Sequence, residues 1–409
     1  MIDSDDTMKT VLVSSYFDLF GGAAIGSQQR ILQLTDWIGR EYEVVRVVTG
    51  PFKVDSGALG IGSDLISPTN SRMTRWPHKL GERFSSIRNF LSARSCESQL
   101  DRVIKQQGEV VVRERFRDLL VQLDPVAVLF EYAWSMMPLH EIASQIGVPI
   151  ILDSHDCLSQ RTAKARQLGE PITFPFSPEL EFATLSKADA VLAIQEEEAA
   201  CFRAAMPHAN VITVPHSAGI FAGLDDNAVV DAQVLLVASE SSHNVDSLRC
   251  IIQNVWPSVL ASCPEATLAV CGTVCNRFLG EAIPSTIKLH GVVESLAPFY
   301  RSSQVVLNVP RFGSGLKIKG VEGIRFGKSL VCTPTGAEGM PLDPQCFVVA
   351  EFDEVANATI SLLKDARLRG SLEANTRAYY DRHFSPTACY TPLKRYLDEL
   401  REVALVAPA

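Results

Sequence analysis

The chain has 409 residues, 46% of them hydrophobic and 21% charged, which is the composition of a globular protein too long for one ordinary core. A formal net charge of −9 argues against nucleic acid as a general partner, and no uninterrupted apolar run approaches the roughly 20 residues needed to span a bilayer. The acidic, polar start MIDSDDTMKT is unlike a signal or transit peptide, so a cytoplasmic chain is expected.

The first predicted strand is KTVLVSSYF (9–17), followed by the loop DLFGGAAIGSQQ and the helical pattern QRILQLTDWIGR. EVVRVVTG is a second strand, ending at Gly50. The glycines at 21, 22 and 26 miss the GxGxxG spacing, and the second strand ends without an acid, so a dinucleotide site is not supported. No GxxxxGK[ST] run is present, which excludes a P-loop. Residues 71–120 hold 11 Lys and Arg against 6 Asp and Glu, a local balance of +5. There Arg72, Arg75, Lys79, Arg83, Arg88 and Arg94 interleave with Trp76, Leu80, Phe84, Ile87 and Phe90. Two readings stay open: an amphipathic helix packed on its own domain, or a basic aromatic surface for anionic membrane lipid at the inner face or for an anionic acceptor.

DPVAVLFEY (124–132) and VPIILDSHD (148–156) are strands with a helix between them, ADAVLAIQEEEAACFRAA is strand then helix, and ANVITVPHS is another strand. The Gly- and Asp-rich segment HSAGIFAGLDDN (216–227) then separates a second alternating series. Its strands are VVDAQVLLVAS (229–239), ATLAVCGT, IKLHGVV, QVVLNVPR and SLVCTPTG, with helices NVDSLRCIIQNVWPSVL, LAPFYRSS and GLKIKGVEGIRFG between them. Strands alternating with helices imply parallel sheets covered on both faces. The expected fold is α/β, two Rossmann-like doubly wound domains facing a central cleft, with ligands outside the carboxyl ends of the strands. The domains are placed at 1–218 and 219–387, and the long amphipathic pattern PLKRYLDELREVALV (392–406) ends the chain. No internal sequence repeat is visible. The ten cysteines form no CxxC and no paired metal spacing, so buried free thiols are expected and no metal site built from cysteine.

The most informative stretch is RFGSGLKIKGVEGIRFGKSLVCTPTGAEGM (311–340). Gly313, Ser314 and Gly315 fall between a strand and a helix, where free amides and close backbone approach make an anion site. Lys317 and Lys319 are expected in the first turn, the end at which the helix dipole disfavours a cation, so an anionic ligand would explain them. Lys319 and Glu322 share a helix face, which suits phosphate and ribose hydroxyls side by side; the same spacing also suits an ordinary solvated Lys–Glu pair.

In this order and context the run G-x-G-x-[KR]-x-K-x-x-E followed by G-[KL]-x-[LV]-V-x-T-x-x-G resembles the retaining, GT-B-fold glycosyltransferases of family-4 type (group 1), over nearly the whole chain. The Gly21-Gly22 pair, LDSHD and ADAVLAIQEEEA match less specifically. The resemblance implies a nucleotide-sugar donor on the C-terminal domain, the acceptor on the N-terminal one, and a C-terminal helix (388–409) crossing back to close the first domain. It implies Glu322 at the ribose and Lys317 and Lys319 with amides near Gly315 and Leu316 at the diphosphate. Gly21 and Gly22 would let the first loop close, backbone near Val292 and Val293 would read the base, and His155 would face the donor sugar and acceptor. His155 also reads as an ordinary satisfied histidine at a strand end. His155, Lys319 and Glu322 are the implied catalytic set. No metal or other cofactor is required, and the product would be a polysaccharide, glycolipid or other glycoconjugate. The chain departs from the family's Glu-x7-Glu where Ser314 stands first, and ASESSHNVDS lacks the basic pair frequent after the first strand of that domain, offering only His243 and Arg249. Two competing readings are therefore kept: a non-catalytic nucleotide-sugar-binding protein and a nucleotide-sugar 2-epimerase.

Overall fold

Every residue of Ala127–Glu131 and of Val305–Asn308 is buried, the condition of a strand covered on both faces. The computed structural model of the chain describes residues 9–15, 26–49, 63–65, 100–101, 104–105, 108–169, 174–218, 233–313 and 315–406. Two units divide the chain, Met1–Val214 with Tyr390–Ala409, and Pro215–Cys389.

The first unit holds β1 (Thr10–Ser15), β2 (Glu43–Val48), β3 (Ser63–Leu65), β4 (Ala127–Glu131), β5 (Ile150–Asp153), β6 (Ala190–Ala193) and β7 (Asn210–Thr213). They form one sheet in the order β3-β2-β1-β4-β5-β6-β7, with all pairs parallel. Val11 is paired with Val44 on one side and Ala127 on the other, so the order reverses between β1 and β4. Helix Val110–Leu123 lays Val112, Phe116, Leu119 and Leu120 on the sheet at helical spacing.

The second unit holds β8 (Val234–Val237), β9 (Leu268–Cys271), β10 (Ile287–Gly291), β11 (Val305–Asn308), β12 (Ser329–Cys332) and β13 (Val348–Val349), again parallel, in the order β10-β9-β8-β11-β12-β13. Alternate residues feed two cores. Val234, Leu236, Val270, Val305 and Leu307 join one, and Leu235, Val237, Ala269, Val306 and Leu330 the other. The helix after β8 passes through a π turn, Ile251–Val255, before Trp256–Ser262, where Pro257 lacks the N–H that a regular turn would use.

Both sheets are doubly wound, as the alternation implied, with β3 and β13 added at their edges. Helix Pro386–Val406 starts in the second unit and belongs to the first from Tyr390 on. Tyr390, Leu393 and Leu397 are buried, the Tyr390 ring meets Trp37 edge-on at 5.6 Å, and the Tyr42 hydroxyl donates to Asp398 (2.7 Å). Among the described residues no helix is long and apolar enough to cross a membrane. The basic run 72–94 lies outside the described residues. All nine described cysteines are free thiols, six buried and three partly so.

Candidate functional site

In an open α/β sheet, ligands bind where the strand order reverses, at the carboxyl edge. In the second unit that place lies between β8 and β11, and loop 309–317 leads from β11 into helix Ile318–Arg325. Several bonds hold this loop. Asn308 Nδ2 donates to the Gly336 carbonyl (2.7 Å), Thr333 Oγ1 donates to the Pro310 carbonyl (2.6 Å), and Arg311 pairs with Asp246 (3.2 Å). A Cβ on Gly320 would stand 2.6 Å from Asn308 Nδ2, and one on Gly336 only 1.9 Å from the Asn308 carbonyl oxygen. These two glycines let the helix and the loop after β12 close onto the end of β11.

Gly313 (φ 133°) and Gly315 (φ 76°) take backbone conformations that a side chain would strain. The helix begins at Ile318, so Lys317 occupies the capping position instead of the first turn. Its side chain does not cap; Nζ turns back to donate to the Gly315 carbonyl (2.7 Å) and lies 3.5 Å from Glu338. Lys319 Nζ contacts both oxygens of Glu322, at 2.9 and 3.0 Å. Glu322 is 1% exposed, and the Tyr300 hydroxyl donates to its Oε2 (2.7 Å). Burial first, and the neighbouring carboxylate second, raise the Tyr300 phenol well above its usual range, which keeps it a donor. The Tyr300 ring stacks on Phe326 at 4.8 Å. Leu316 and Val293 pack into the same apolar cluster as Tyr300, whereas Val292, after Gly291, is exposed.

The first unit carries its own polar cluster at the ends of β4 and β5. Tyr132 (φ 73°) and His155 (φ 60°) both hold left-handed backbone, strain of the kind that concentrates at functional positions. Their rings stack at 3.9 Å, and Tyr132 stacks in turn on Trp134 at 4.1 Å. His155 Nε2 and Glu131 Oε2 share a hydrogen bond of 2.6 Å, and Arg30 forks onto both oxygens of Asp153 at 2.7 and 2.9 Å. Burial pushes both carboxyls upward, but the outcomes differ. Arg30 and His155 together outweigh burial at Asp153 and hold it below its usual range, while burial prevails at Glu131 and raises it. Glu131, Asp153 and His155 bring ligand-type atoms within 4.8 Å of one another, the spacing of a metal set. The Arg30 fork already takes both Asp153 oxygens, so the guanidinium neutralises the charge a cation would need.

The first unit can thus orient an imidazole, and the second can receive a phosphate with neighbouring hydroxyls. Residues 232–365 match the family model described as Glycosyl transferases group 1. That matching stretch, about a third of the chain, lies wholly within the second unit. A search of curated protein sequences returns no match. Among solved structures the chain is similar to sucrose-phosphate synthase from Thermosynechococcus elongatus, with a TM-score of 0.67 at 14% identity over 97% of this chain and 100% of that one. It is similar to HepE of Anabaena, solved in complex with UDP and glucose, with a TM-score of 0.62 at 13% identity over 96% and 100% of the chains. A third likeness is to WaaG, a glycosyltransferase involved in lipopolysaccharide biosynthesis, with a TM-score of 0.53 at 14% identity over 96% and 99%. The fold is that of the GT-B glycosyltransferases.

Val292, Val293, Gly315, Leu316, Lys317, Lys319 and Glu322 all lie inside the stretch that matches the glycosyltransferase family, and the structure gathers the last five around one helix start. His155 lies in the other unit. Gly21, Gly22 and Ser314 fall outside the described residues. Sequence reasoning missed Tyr300, 22 positions before the glutamate it holds, and the Arg30–Asp153 pair, 123 positions apart. A signal existed for one of them. Arg30 interrupts the apolar face of QRILQLTDWI, where a charge needs a buried partner.

Proposed function

We propose that the chain transfers a sugar from a nucleotide-sugar donor to a hydroxyl of a glycan, lipid-linked or small-molecule acceptor, with retention of anomeric configuration. The observation that carries this reading is the buried Glu322 carboxylate beside Lys319, one turn from an uncapped helix start behind two glycines. HepE, of the same fold, was solved with UDP and glucose, which supports a donor of this class.

In this reading Glu322 accepts the ribose hydroxyls, and Lys317, Lys319 and the amides of the first turn hold the diphosphate. As the bond from the sugar C1 to the phosphate oxygen breaks, negative charge grows on the leaving diphosphate. Once the donor is bound, the cations and amides held against the diphosphate stabilise that charge without further reorganisation in the transition state. They supply the positive charge a metal would otherwise bring, so the reaction is proposed to run without one. The acceptor hydroxyl attacks from the face the diphosphate leaves, and its proton passes to a departing phosphate oxygen. His155 is assigned to the sugar and acceptor side.

The test is thermal shift against UDP-, GDP-, ADP- and dTDP-sugars in the absence of added metal. A ligand that binds the folded state raises apparent stability, so one nucleotide series should raise the melting temperature. In Glu322→Ala that shift should vanish, and the unliganded protein should melt somewhat lower because the buried Tyr300 hydroxyl loses its acceptor. No shift with any series in the parent chain would overturn the proposal.

A further inference from the structure

Glu322 is nearly fully buried, yet it has to meet a ligand if the donor reading above is right. Its two side-chain partners differ in kind. Tyr300 is fully buried, stacked on Phe326, and hydrogen-bonded through its hydroxyl to Oε2 at 2.7 Å. Lys319 is one-third exposed and lies across both oxygens at 2.9 and 3.0 Å. An ionised carboxylate offers about four acceptor positions. Tyr300 occupies one and Lys319 two. A ribose presenting two hydroxyls needs two more, one beyond what the carboxylate can offer. One of the present donors has to leave, and only Lys319 has room to move.

We infer that Tyr300 is a permanent positioning residue for Glu322 and that Lys319 is its displaceable cover. When the ribose arrives, Lys319 swings off the carboxylate and its ammonium becomes available to the diphosphate, two residues beyond Lys317. The uncovered carboxylate does not reorient, because the Tyr300 hydrogen bond keeps Oε2 in place and aims Oε1 at the hydroxyls. Tyr300 is therefore a determinant of ribose over deoxyribose without touching the nucleotide. Lys319 links the two halves of the ligand, since the same movement opens the ribose site and charges the phosphate site. The inference rests on the donor assignment to the second unit.

Calorimetric titration with UDP, GDP and ADP, their 2′,3′-dideoxy counterparts and the parent nucleosides separates the roles. In the parent chain the ribose diphosphate of the bound series should bind about tenfold or more tightly than its dideoxy form, because hydrogen bonds to an ionised group are the strong ones. Tyr300→Phe should reduce that preference to about two- or threefold, chiefly by weakening the ribose form. A purely structural role would weaken both forms alike, and that result would overturn the assignment of Tyr300. Lys319→Ala should lower diphosphate affinity about tenfold while nucleoside affinity stays level or rises, since the cover is gone. Equal losses for nucleoside and diphosphate would overturn the displaceable cover. If the parent chain binds none of the three diphosphates and dTDP-sugars give no thermal shift either, the donor reading itself falls, a result distinct from either of those.

Discussion

Glu198, at the start of helix Glu196–Ala205, is 4% exposed, and its Oε2 has no hydrogen-bond partner among the described residues. Burial, with Asp156 adding to it, pushes its carboxyl from the usual 4.5 up to about 8. Asp153, buried still more deeply, goes the other way because Arg30, with His155 beside it, faces it. At each of these carboxyls the partner, more than the depth, decides the charge. The stability consequence has a definite sign. Glu198 keeps its proton in the folded state at a pH where the unfolded chain has lost it, so folding takes up a proton between pH 4.5 and about 8. Its contribution is complete below 4.5 and fades as pH rises toward 8. Glu198→Gln removes the ionisation and should gain stability over the parent by on the order of 2–4 kcal/mol at pH 8.5, with little difference at pH 4.5. Urea denaturation of both proteins at the two pH values checks this, and parallel curves would show that the carboxyl is ionised in place.

At the level of elements, the helix Leu158–Leu168 begins on a carboxylate from another helix instead of on a capping residue of its own. Cys157 stands at the capping position without a side-chain cap bond, and Glu181 accepts the N–H groups of Leu158 (2.6 Å) and Ser159 (2.9 Å). Glu181 is 1% exposed, so Glu181→Ala would strand two buried donors at a helix terminus. A loss of about 2–4 kcal/mol in urea denaturation is expected; a loss under about 0.5 kcal/mol would mean that water replaces the carboxylate. This cap also marks the limit of what the chain order reveals. Helix Ile318–Arg325 and its Lys319–Glu322 pair were legible because the two side chains are three positions apart, where helix geometry alone brings them together. The Glu181 cap and the Tyr300 bond link residues 22 or 23 apart on different elements, which no local pattern encodes. β3 and β13, of three and two residues, are too short to show alternation, and their pairing comes from the neighbouring strand. Lys317 was misplaced by one turn position because Gly315 delays the helix to Ile318.

At the scale of the whole molecule, strand–helix alternation was enough to foresee two doubly wound parallel sheets, since right-handed crossovers leave few other ways to arrange such a chain. The last helix, Pro386–Val406, is tied to the first unit over most of its length. From Tyr390 onward it belongs there, burying Tyr390, Leu393 and Leu397, with Lys394 paired to Glu41 and Asp398 bonded to Tyr42. Three buried apolar side chains contribute about 1.5–3 kcal/mol each, and their sum is comparable with the 5–15 kcal/mol that holds a domain folded. A chain ending at Cys389 should therefore lose most of the stability of the first unit while the second keeps its own core. Scanning calorimetry of the intact and shortened chains separates the two cases. One transition should fall by ten degrees or more on truncation while another, the one expected to rise with the nucleotide proposed for the second unit, stays within a few degrees. Loss of both transitions together would mean that the units do not fold as separate thermodynamic bodies. Retention of both would mean that the buried face of the last helix contributes far less than its area implies.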